Sequence, residues 1–429
     1  MDSSACRAQA QTTVQCHNRC VTATACPTDP AAPPDAASTL LALSCAAGLS
    51  GLSLRLTDAL LPYFSQQFGV SVADTSWVIT AFALAYGTAL LVLGPLGDRF
   101  GKRRLIACSC AASAVASLAC ALAPNLPSLV AARALTGATT ASIIPLSMAW
   151  IGDHFAFAAR QPVLARFLLG QIIGMSLGAW LGGFAADHLT PSVAFTGVAL
   201  AFVGIALVLF RTLRRQPEAL LPGTPGTGLV AGVVRSMWQV MGLAWARRIL
   251  VTVALEGALL YGVIAFTATH LHRQHGLALA TAGAMVMLFG LGGAMYALGS
   301  QRLLQRMGPR GLVLGGGLLM TAGITVLAWL PAWWAGIPGC WLCGLGFYML
   351  HNTLQTQATQ MAPAQRGAAV SLFACCFFMG QATGVALLGA SLQWWDSALS
   401  MSLCALGLLG LALWFARSLQ RRAAMEARS

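Results

Sequence analysis

The sequence predicts an all-α membrane protein with twelve transmembrane helices in two pseudo-symmetric six-helix bundles. Of its 429 residues, 57% are hydrophobic and only 9% are charged, whereas a soluble domain has roughly 25% charged residues. Apolar runs recur along the chain, and each is long enough, at about 20 residues, to cross a hydrocarbon core of about 30 Å. Because the runs are apolar on all sides, they predict helices rather than the alternating strands of a barrel.

The predicted spans are bounded by Gly, Pro and charged residues and are numbered 1 to 12 in chain order. They cover residues 39–62, 74–96, 104–123, 127–150, 163–186, 192–212, 249–270, 279–302, 311–330, 336–357, 367–390 and 397–417.

Around these spans the chain divides into five regions. They are a disordered cytoplasmic N-terminal tail (1–37), a first bundle (38–212), a cytoplasmic linker (213–247), a second bundle (248–418) and a cytoplasmic C-terminal tail (419–429). The linker becomes amphipathic from Leu229 to Trp245, which suggests a helix on the membrane surface.

The positions of the basic residues predict the orientation. The net charge is +13, but the basic residues form short clusters between apolar runs, which is typical of cytoplasmic loops and not of a nucleic-acid surface. With both termini in the cytoplasm, 22 of the 25 basic residues lie on the inside, and the exceptions are Arg55, Arg133 and Arg273. The sequence therefore predicts a multi-pass protein of the bacterial inner membrane.

Two echoes between the halves support an internal repeat. The pentapeptide that begins at Gly170 in span 5 reads GQIIG, and the one that begins at Gly380 in span 11 reads GQATG, 210 residues later. The basic loops after spans 2 and 8 match at a similar offset. Parallel six-helix repeats are typical of transporters.

The loop after span 2 carries the most specific motif in the chain. It reads GPLGDRFGKRR from Gly94, which closely resembles the signature of the major facilitator superfamily. The resemblance covers residues 38–420 and implies a transporter that works by alternating access. It also implies a cytoplasmic gate formed by Gly94, Asp98, Arg99, Gly101 and Arg103.

A physical account of that gate is available, because Asp98 would lie near the electropositive start of span 11. The alternative is that the basic residues only set the topology, although that leaves Asp98 and the spaced glycines unexplained.

Span 5 resembles the motif of the antiporters in this superfamily. It carries Gly170, Gly174, Gly178, Gly182 and Gly183. Ala179 stands where the antiporter motif has proline, which weakens the implication of export. Small residues at this spacing also let helices approach closely, so packing is a sufficient explanation.

Intramembrane charges provide the candidates for proton coupling. Arg55 and Asp58 lie three residues apart in span 1, and Arg133 lies at a similar depth in span 4. Arg133 and Gly137 resemble a motif of proton-coupled members, and an intramembrane Arg usually faces a cavity or a partner. The two Arg would favour the ionised Asp58 carboxylate. The alternatives are a static ion pair between spans 1 and 4, or an Asp58 that faces the outer aqueous boundary.

Glu256 in span 7 is a further candidate, for a proton or a cationic substrate. It has no evident Arg at its depth, so we expect it to be unpaired and the desolvated carboxyl to favour its neutral form. The alternative is a neutral, hydrogen-bonded structural glutamate.

The substrate cavity of the superfamily is lined by spans 1, 4, 7 and 10. In span 10, Tyr348, His351, Asn352 and Gln355 share one helical face, and such a polar stripe suits a polar ligand. Interhelical hydrogen bonding is the alternative. In span 4, Thr136 and Thr140 share the face of Arg133, and they complete the list of candidates.

The function predicted from these features is proton-coupled efflux of a small organic or drug-like compound by a secondary active transporter. Uptake by a proton symporter or a facilitator is the alternative. A polytopic membrane enzyme is less favoured, because the chain has no recognisable catalytic motif. The expected partners are a small-molecule substrate, protons and membrane lipid, without nucleic acid, for a monomer with no metal or cofactor.

Overall fold

The computed structural model describes residues 36–155, 157–215 and 229–426, and these residues are helical nearly throughout. The predicted N-terminal tail and the Pro-rich part of the linker fall largely outside that range. The longer helices are Ala36–Arg55, Leu61–Phe68, Trp77–Phe100, Lys102–Ala121, Leu126–Thr140, Ile143–His154, Phe157–His188, Pro191–Arg215, Leu229–Gly242, Ala244–His275, Leu279–Trp329, Gly336–Gln360, Arg366–Ser391 and Ser397–Glu426.

These helices form the twelve predicted spans. Ten stretches of the described chain are long and apolar enough to cross a membrane. One of them, Leu279–Trp329, has 51 residues and contains both span 8 and span 9. Span 10 is the helix Gly336–Gln360, which has 25 residues and is not one of those ten stretches. The all-α fold class is therefore confirmed, and the helix Leu229–Gly242 lies in the predicted linker.

Two glycines with positive φ make the corresponding turns in the two halves. Gly101, between spans 2 and 3, has φ 88°, and Gly308, between spans 8 and 9, has φ 64°. Only glycine adopts this region without strain. The two turns lie in the basic loops whose sequences echo each other, so the repeat extends to the backbone.

Proline breaks spans 1 and 4 near their charged residues. Pro62 has no N–H to donate to the carbonyl of Asp58, and Asp58–Leu60 forms a 3-10 turn between the helices Ala36–Arg55 and Leu61–Phe68. In span 4, Pro145 follows the break between Thr140 and Ile143. The charged residues of span 1 therefore lie at an interruption of the helix, where carbonyl groups are left without helical partners.

Spans 1 and 5 are in backbone contact through a row of glycines. Four glycines of span 5 are spaced four residues apart, and each faces a backbone carbonyl oxygen of span 1, where the carbonyls are also four residues apart. A Cβ atom added to any of these glycines would come too close to the carbonyl oxygen that it faces. The pairs are Gly170 with Ser44, Gly174 with Gly48, Gly178 with Leu52, and Gly182 with Leu56. Lipid tails supply little hydrophobic drive for helix association, so such close packing is a main source of stability.

The second half repeats this crossing at the same offset. Gly380 packs on the carbonyl of Ala254, and Gly384 packs on that of Ala258. Each glycine and each carbonyl lies 210 residues after its counterpart in the first half. Spans 1 and 5 and spans 7 and 11 are thus two copies of one packing arrangement.

Two seams join the halves, span 5 with span 8 and span 2 with span 11. In the first seam, Gly183 packs on the backbone at Leu279, and Gly283 packs on the carbonyl of Ala179. In the second, the rings of Tyr86 and Phe378 lie 4.2 Å apart. In the predicted orientation the contacts of the first seam lie toward the outer face, and the ring pair of the second seam lies near the middle of the membrane. At the opposite end, a Cβ built on Gly367 at the start of span 11 would meet none of the described atoms within 4 Å.

The glycine crossings lead to a stability prediction. Gly174→Ala and Gly384→Ala should each lower the free energy of unfolding by about 1–3 kcal/mol, because overpacking forces the helices apart. Gly204→Ala is the matched control, since no atom of the described chain would lie within 4 Å of the added methyl group. The apparent Tm of the purified protein, followed by fluorescence-detected size exclusion after heating, measures the difference. Equal apparent Tm values for the three variants would contradict the prediction.

Candidate functional site

Arg55 and Asp58 form a buried ion pair at the break in span 1. Arg55 Nη1 donates a hydrogen bond of 2.8 Å to Asp58 Oδ2, and the two side chains are 4% and 1% exposed. The Arg55 guanidinium also lies 4.3 Å from the centre of the Tyr261 ring in span 7, a favourable cation–π contact. Arg55 therefore links an acid of the first half to an aromatic ring of the second half.

Arg133 of span 4 donates hydrogen bonds to span 1 on both sides of Arg55, close to the same break. It donates hydrogen bonds to the Ser53 carbonyl oxygen (3.0 Å) and to Thr57 Oγ1 (3.4 Å). It makes no ion pair with Asp58 within the described residues. Arg133 therefore interacts with Asp58 through its charge and not through an ion pair, and its guanidinium caps a carbonyl at the end of the helix Ala36–Arg55.

Glu256 is paired, so the expectation of an unpaired carboxyl group is wrong. Glu256 Oε2 lies 2.8 Å from His351 Nδ1 in span 10, and the Glu256 side chain is fully buried. Its second oxygen, Oε1, makes no hydrogen bond to any residue that the structure describes. The partner lies 95 residues away in the chain, which is why inspection of span 7 alone did not find it.

Three phenylalanine side chains pack around the imidazole of His351. Ring centroids lie 4.7 Å away at Phe347, 4.9 Å away at Phe377 and 5.4 Å away at Phe373. Tyr261 packs edge-on against Phe377, at 5.2 Å. Because these rings exclude water, the attraction between the Glu256 carboxylate and a protonated His351 is stronger than it would be in solvent.

The remaining polar residues of span 10 fall in two environments. Tyr348 lines a cavity of about 20 Å³ between the halves, together with Arg55, Ser176 and apolar side chains. Asn352 donates a hydrogen bond of 3.3 Å to the Tyr296 hydroxyl in span 8. Gln355 is exposed. Exposure increases along the stripe from Tyr348 to Gln355, so the stripe becomes more accessible toward the inner end of span 10.

Thr136 and Thr140 do not line that cavity. Both side chains are buried. Thr136 Oγ1 donates to the carbonyl of Ala132, and Thr140 Oγ1 donates to that of Thr136. A hydroxyl that bonds within its own helix is commonplace in span interiors, and the assignment of these two residues to the substrate cavity stays a prediction.

The predicted cytoplasmic gate is only partly described. Gly94 and Asp98 lie near the end of the helix Trp77–Phe100, but their surroundings fall outside the described side chains. Arg99 is exposed and lies 5.4 Å from the Phe100 ring. Gly101 makes the turn into span 3, where Arg103 is buried. The gating role of this motif stays a prediction.

Some residues of the site were missed by the sequence analysis. Tyr261 and Phe377 read as ordinary apolar positions, and nothing in their spacing indicates that they contact Arg55 or His351. Asp187, whose Oδ2 accepts a hydrogen bond from the backbone N–H of Ala280 at the start of span 8, was missed as well. It had a usable signal, because it is an acid in the last turn of the helix Phe157–His188, where the helix dipole disfavours negative charge and a partner elsewhere is expected.

Comparison with protein families gives a match over most of the chain. The model of the Major Facilitator Superfamily matches residues 43–385. The chain is 23% identical over 349 residues to an uncharacterized MFS-type transporter, YceJ of Bacillus subtilis, with 79% of this chain and 85% of the relative covered. It is 29% identical over 387 residues to the puromycin resistance protein pur8 of Streptomyces alboniger, with 76% of each covered.

Solved structures match the fold at low sequence identity. A POT family transporter in complex with a thioalcohol-conjugated peptide superposes with a TM-score of 0.73 at 12% identity, covering 90% of this chain and 96% of the other. The nucleoside transporter NupG gives a TM-score of 0.68 at 13% identity, covering 89% of this chain and 98% of the other. These likenesses concern the fold alone.

The ion pair of span 1 gives a prediction that a double-mutant cycle can check. Arg55→Met or Asp58→Leu alone should lower stability by about 3–5 kcal/mol, because each leaves a buried charge without its partner. The double variant should recover most of that loss. The apparent Tm values of the three variants in detergent measure the coupling. If the two single effects simply add, the pair does not stabilise the protein.

Proposed function

The chain belongs to the major facilitator superfamily and is therefore a membrane transporter rather than an enzyme, and from this premise we propose that it exports small drug-like compounds in exchange for protons. It works as a secondary transporter by alternating access, without a nucleotide-binding motif in its sequence. We place it in a bacterial inner membrane as a monomer, with both termini in the cytoplasm as the basic loops predict.

Relatives support the export direction. One is named for puromycin resistance, and another, EmrY of Escherichia coli, is named as a probable multidrug resistance protein. Uptake by symport is the competing direction. Ala179 keeps it open, because this residue replaces the proline of the antiporter motif.

The observation that carries the coupling proposal is the buried Glu256–His351 pair between spans 7 and 10. A carboxylate in a dry aromatic site is tolerated only if it is paired or protonated. The closed pair shares one proton, as a Glu256 carboxylate against an imidazolium of His351. Binding of a second proton neutralises Glu256 and leaves the imidazolium without its counter-ion, so the two spans are then free to separate. Proton binding is then linked to conformation, since each protonation state favours a different arrangement of the spans.

Arg55 and Asp58 take a different role in this proposal. The two residues lie on one turn of span 1, so their separation does not change when one span moves against another, whereas Glu256 and His351 lie on two different spans. Asp58 orients Arg55 toward Tyr261 across the interface between the halves. We therefore assign proton coupling to Glu256 and His351, and the positioning of the interface to Arg55, Asp58 and Arg133.

Substrate export is tested first by resistance. Expression of the chain in an efflux-deficient bacterial strain should raise the inhibitory concentration of at least one amphipathic compound, with puromycin included in the panel, by about four-fold or more. The same cells should accumulate less of that compound until an uncoupler of the proton gradient is added. Increased accumulation on expression would show uptake instead.

Coupling is tested with the compound found in that screen. In proteoliposomes with an imposed pH gradient, Glu256→Gln should abolish uphill transport, because the neutral amide cannot exchange a proton. Exchange of substrate without a gradient should persist. Asp74→Asn, at an exposed acid, is the matched control. Full gradient-driven transport by Glu256→Gln, together with its loss in Asp58→Asn, would move the coupling site to span 1.

A further inference from the structure

Asp187 makes a contact between the halves that none of the assigned site residues explains. It lies in the last turn of the helix Phe157–His188, which contains span 5, and its Oδ2 accepts a hydrogen bond of 2.6 Å from the backbone N–H of Ala280. Ala280 lies in the first turn of span 8, whose own N-cap residue, Ala278, provides no side-chain hydrogen bond. A carboxylate of the first half therefore caps a helix of the second half.

This cap lies at the end of the close seam between spans 5 and 8. Four residues further into the seam from Asp187, Gly183 packs on the backbone at Leu279, and Ala179 follows with its carbonyl against Gly283. Deeper in the seam, Ser176 Oγ meets Gly290. The cap forms only when the seam is closed, because its donor and its acceptor belong to opposite sides.

The electrostatics of Asp187 depend on the same closure. The C-terminal end of its own helix carries partial negative charge and disfavours a carboxylate, whereas the N-terminal end of span 8 carries partial positive charge and favours one. If the seam opened, the carboxylate would lose the favourable helix end and keep the unfavourable one. Asp187 thus interacts differently with the two conformations, which is the requirement for a residue that shifts their populations.

We propose that Asp187 is a gating residue, which stabilises the state closed at the span 5–span 8 end and is released when that end opens during transport. This inference rests on the alternating access of the proposed function. A gate at Asp187 on the outer face would be the counterpart of the gate that the sequence predicts at Asp98 on the cytoplasmic face. Asp98 also lies in the last turn of a seam helix, that of span 2, and its predicted partner is the start of span 11 on the other face.

The experiment is hydrogen–deuterium exchange of the purified full-length chain without substrate. The variants are Asp187→Asn and Asp187→Ala. Asp396→Ala is the matched control, because Asp396 Oδ1 accepts from Ser397 N at the start of span 12 and so caps a helix within one half. Loss of an N-cap costs enough to shift an opening equilibrium by about five-fold.

If Asp187 is a gating residue, the exchange rate in its two variants should rise about five-fold in residues 276–286. It should rise as much in residues 54–62 of span 1, which contact span 5 through Leu56 and Gly182. Asp396→Ala should change only the start of span 12. An increase confined to the first turn of span 8 would overturn the proposal, because Asp187 would then be a local cap. Since no substrate is involved, this outcome is independent of the resistance and coupling assays.

Discussion

The glycine-to-carbonyl packing of span 1 on span 5, and of span 7 on span 11, is the constraint on which the rest of the structure depends. In lipid, helices are held together by close packing and hydrogen bonds rather than by exclusion of water. Span 5 uses two faces for this purpose. Gly170 to Gly182 fix it to span 1 of its own half, while Ala179 and Gly183 meet span 8. The helix that stiffens the first half therefore also forms the surface on which the second half closes.

The frame is symmetric, but the charges placed on it are not. The positions 210 residues from Arg55, Asp58 and Glu256 are Ala265, Ala268 and Ala46. The break in span 1 has no counterpart either, because His272 occupies the position equivalent to Pro62 and Ala244–His275 is one helix. The repeat gives two halves with similar helix packing. Charged residues that have no counterpart in the other half form the Arg55–Asp58 ion pair in the first half and the Glu256–His351 pair in the second half.

Sequence reasoning predicted what depends on local pattern. Hydropathy predicted the spans, and the GQIIG and GQATG echo predicted the offset at which the helix crossings recur, while the orientation from the basic loops stays a prediction. It did not find the Glu256–His351 pair or the stacking of Arg55 on Tyr261, because these contacts join residues whose distance in space no periodicity encodes. It also did not show that the hydroxyls of Thr136 and Thr140 bond to their own backbone, because a shared helical face does not say whether a hydroxyl bonds outward or within its helix.

The placement of the acids separates the interaction that we propose as a gate from the one that we propose for proton coupling. Asp187 is exposed at a helix end, where a cap contributes about 1 kcal/mol, so thermal motion can break it. Glu256 is fully buried, and removing the partner of a buried charge costs about 3–5 kcal/mol, so spans 7 and 10 separate readily only after the carboxylate is neutralised. In the proposed mechanism, a gate at the periphery can therefore open and close freely, while the buried pair lets spans 7 and 10 of the second half rearrange only when a second proton has been bound.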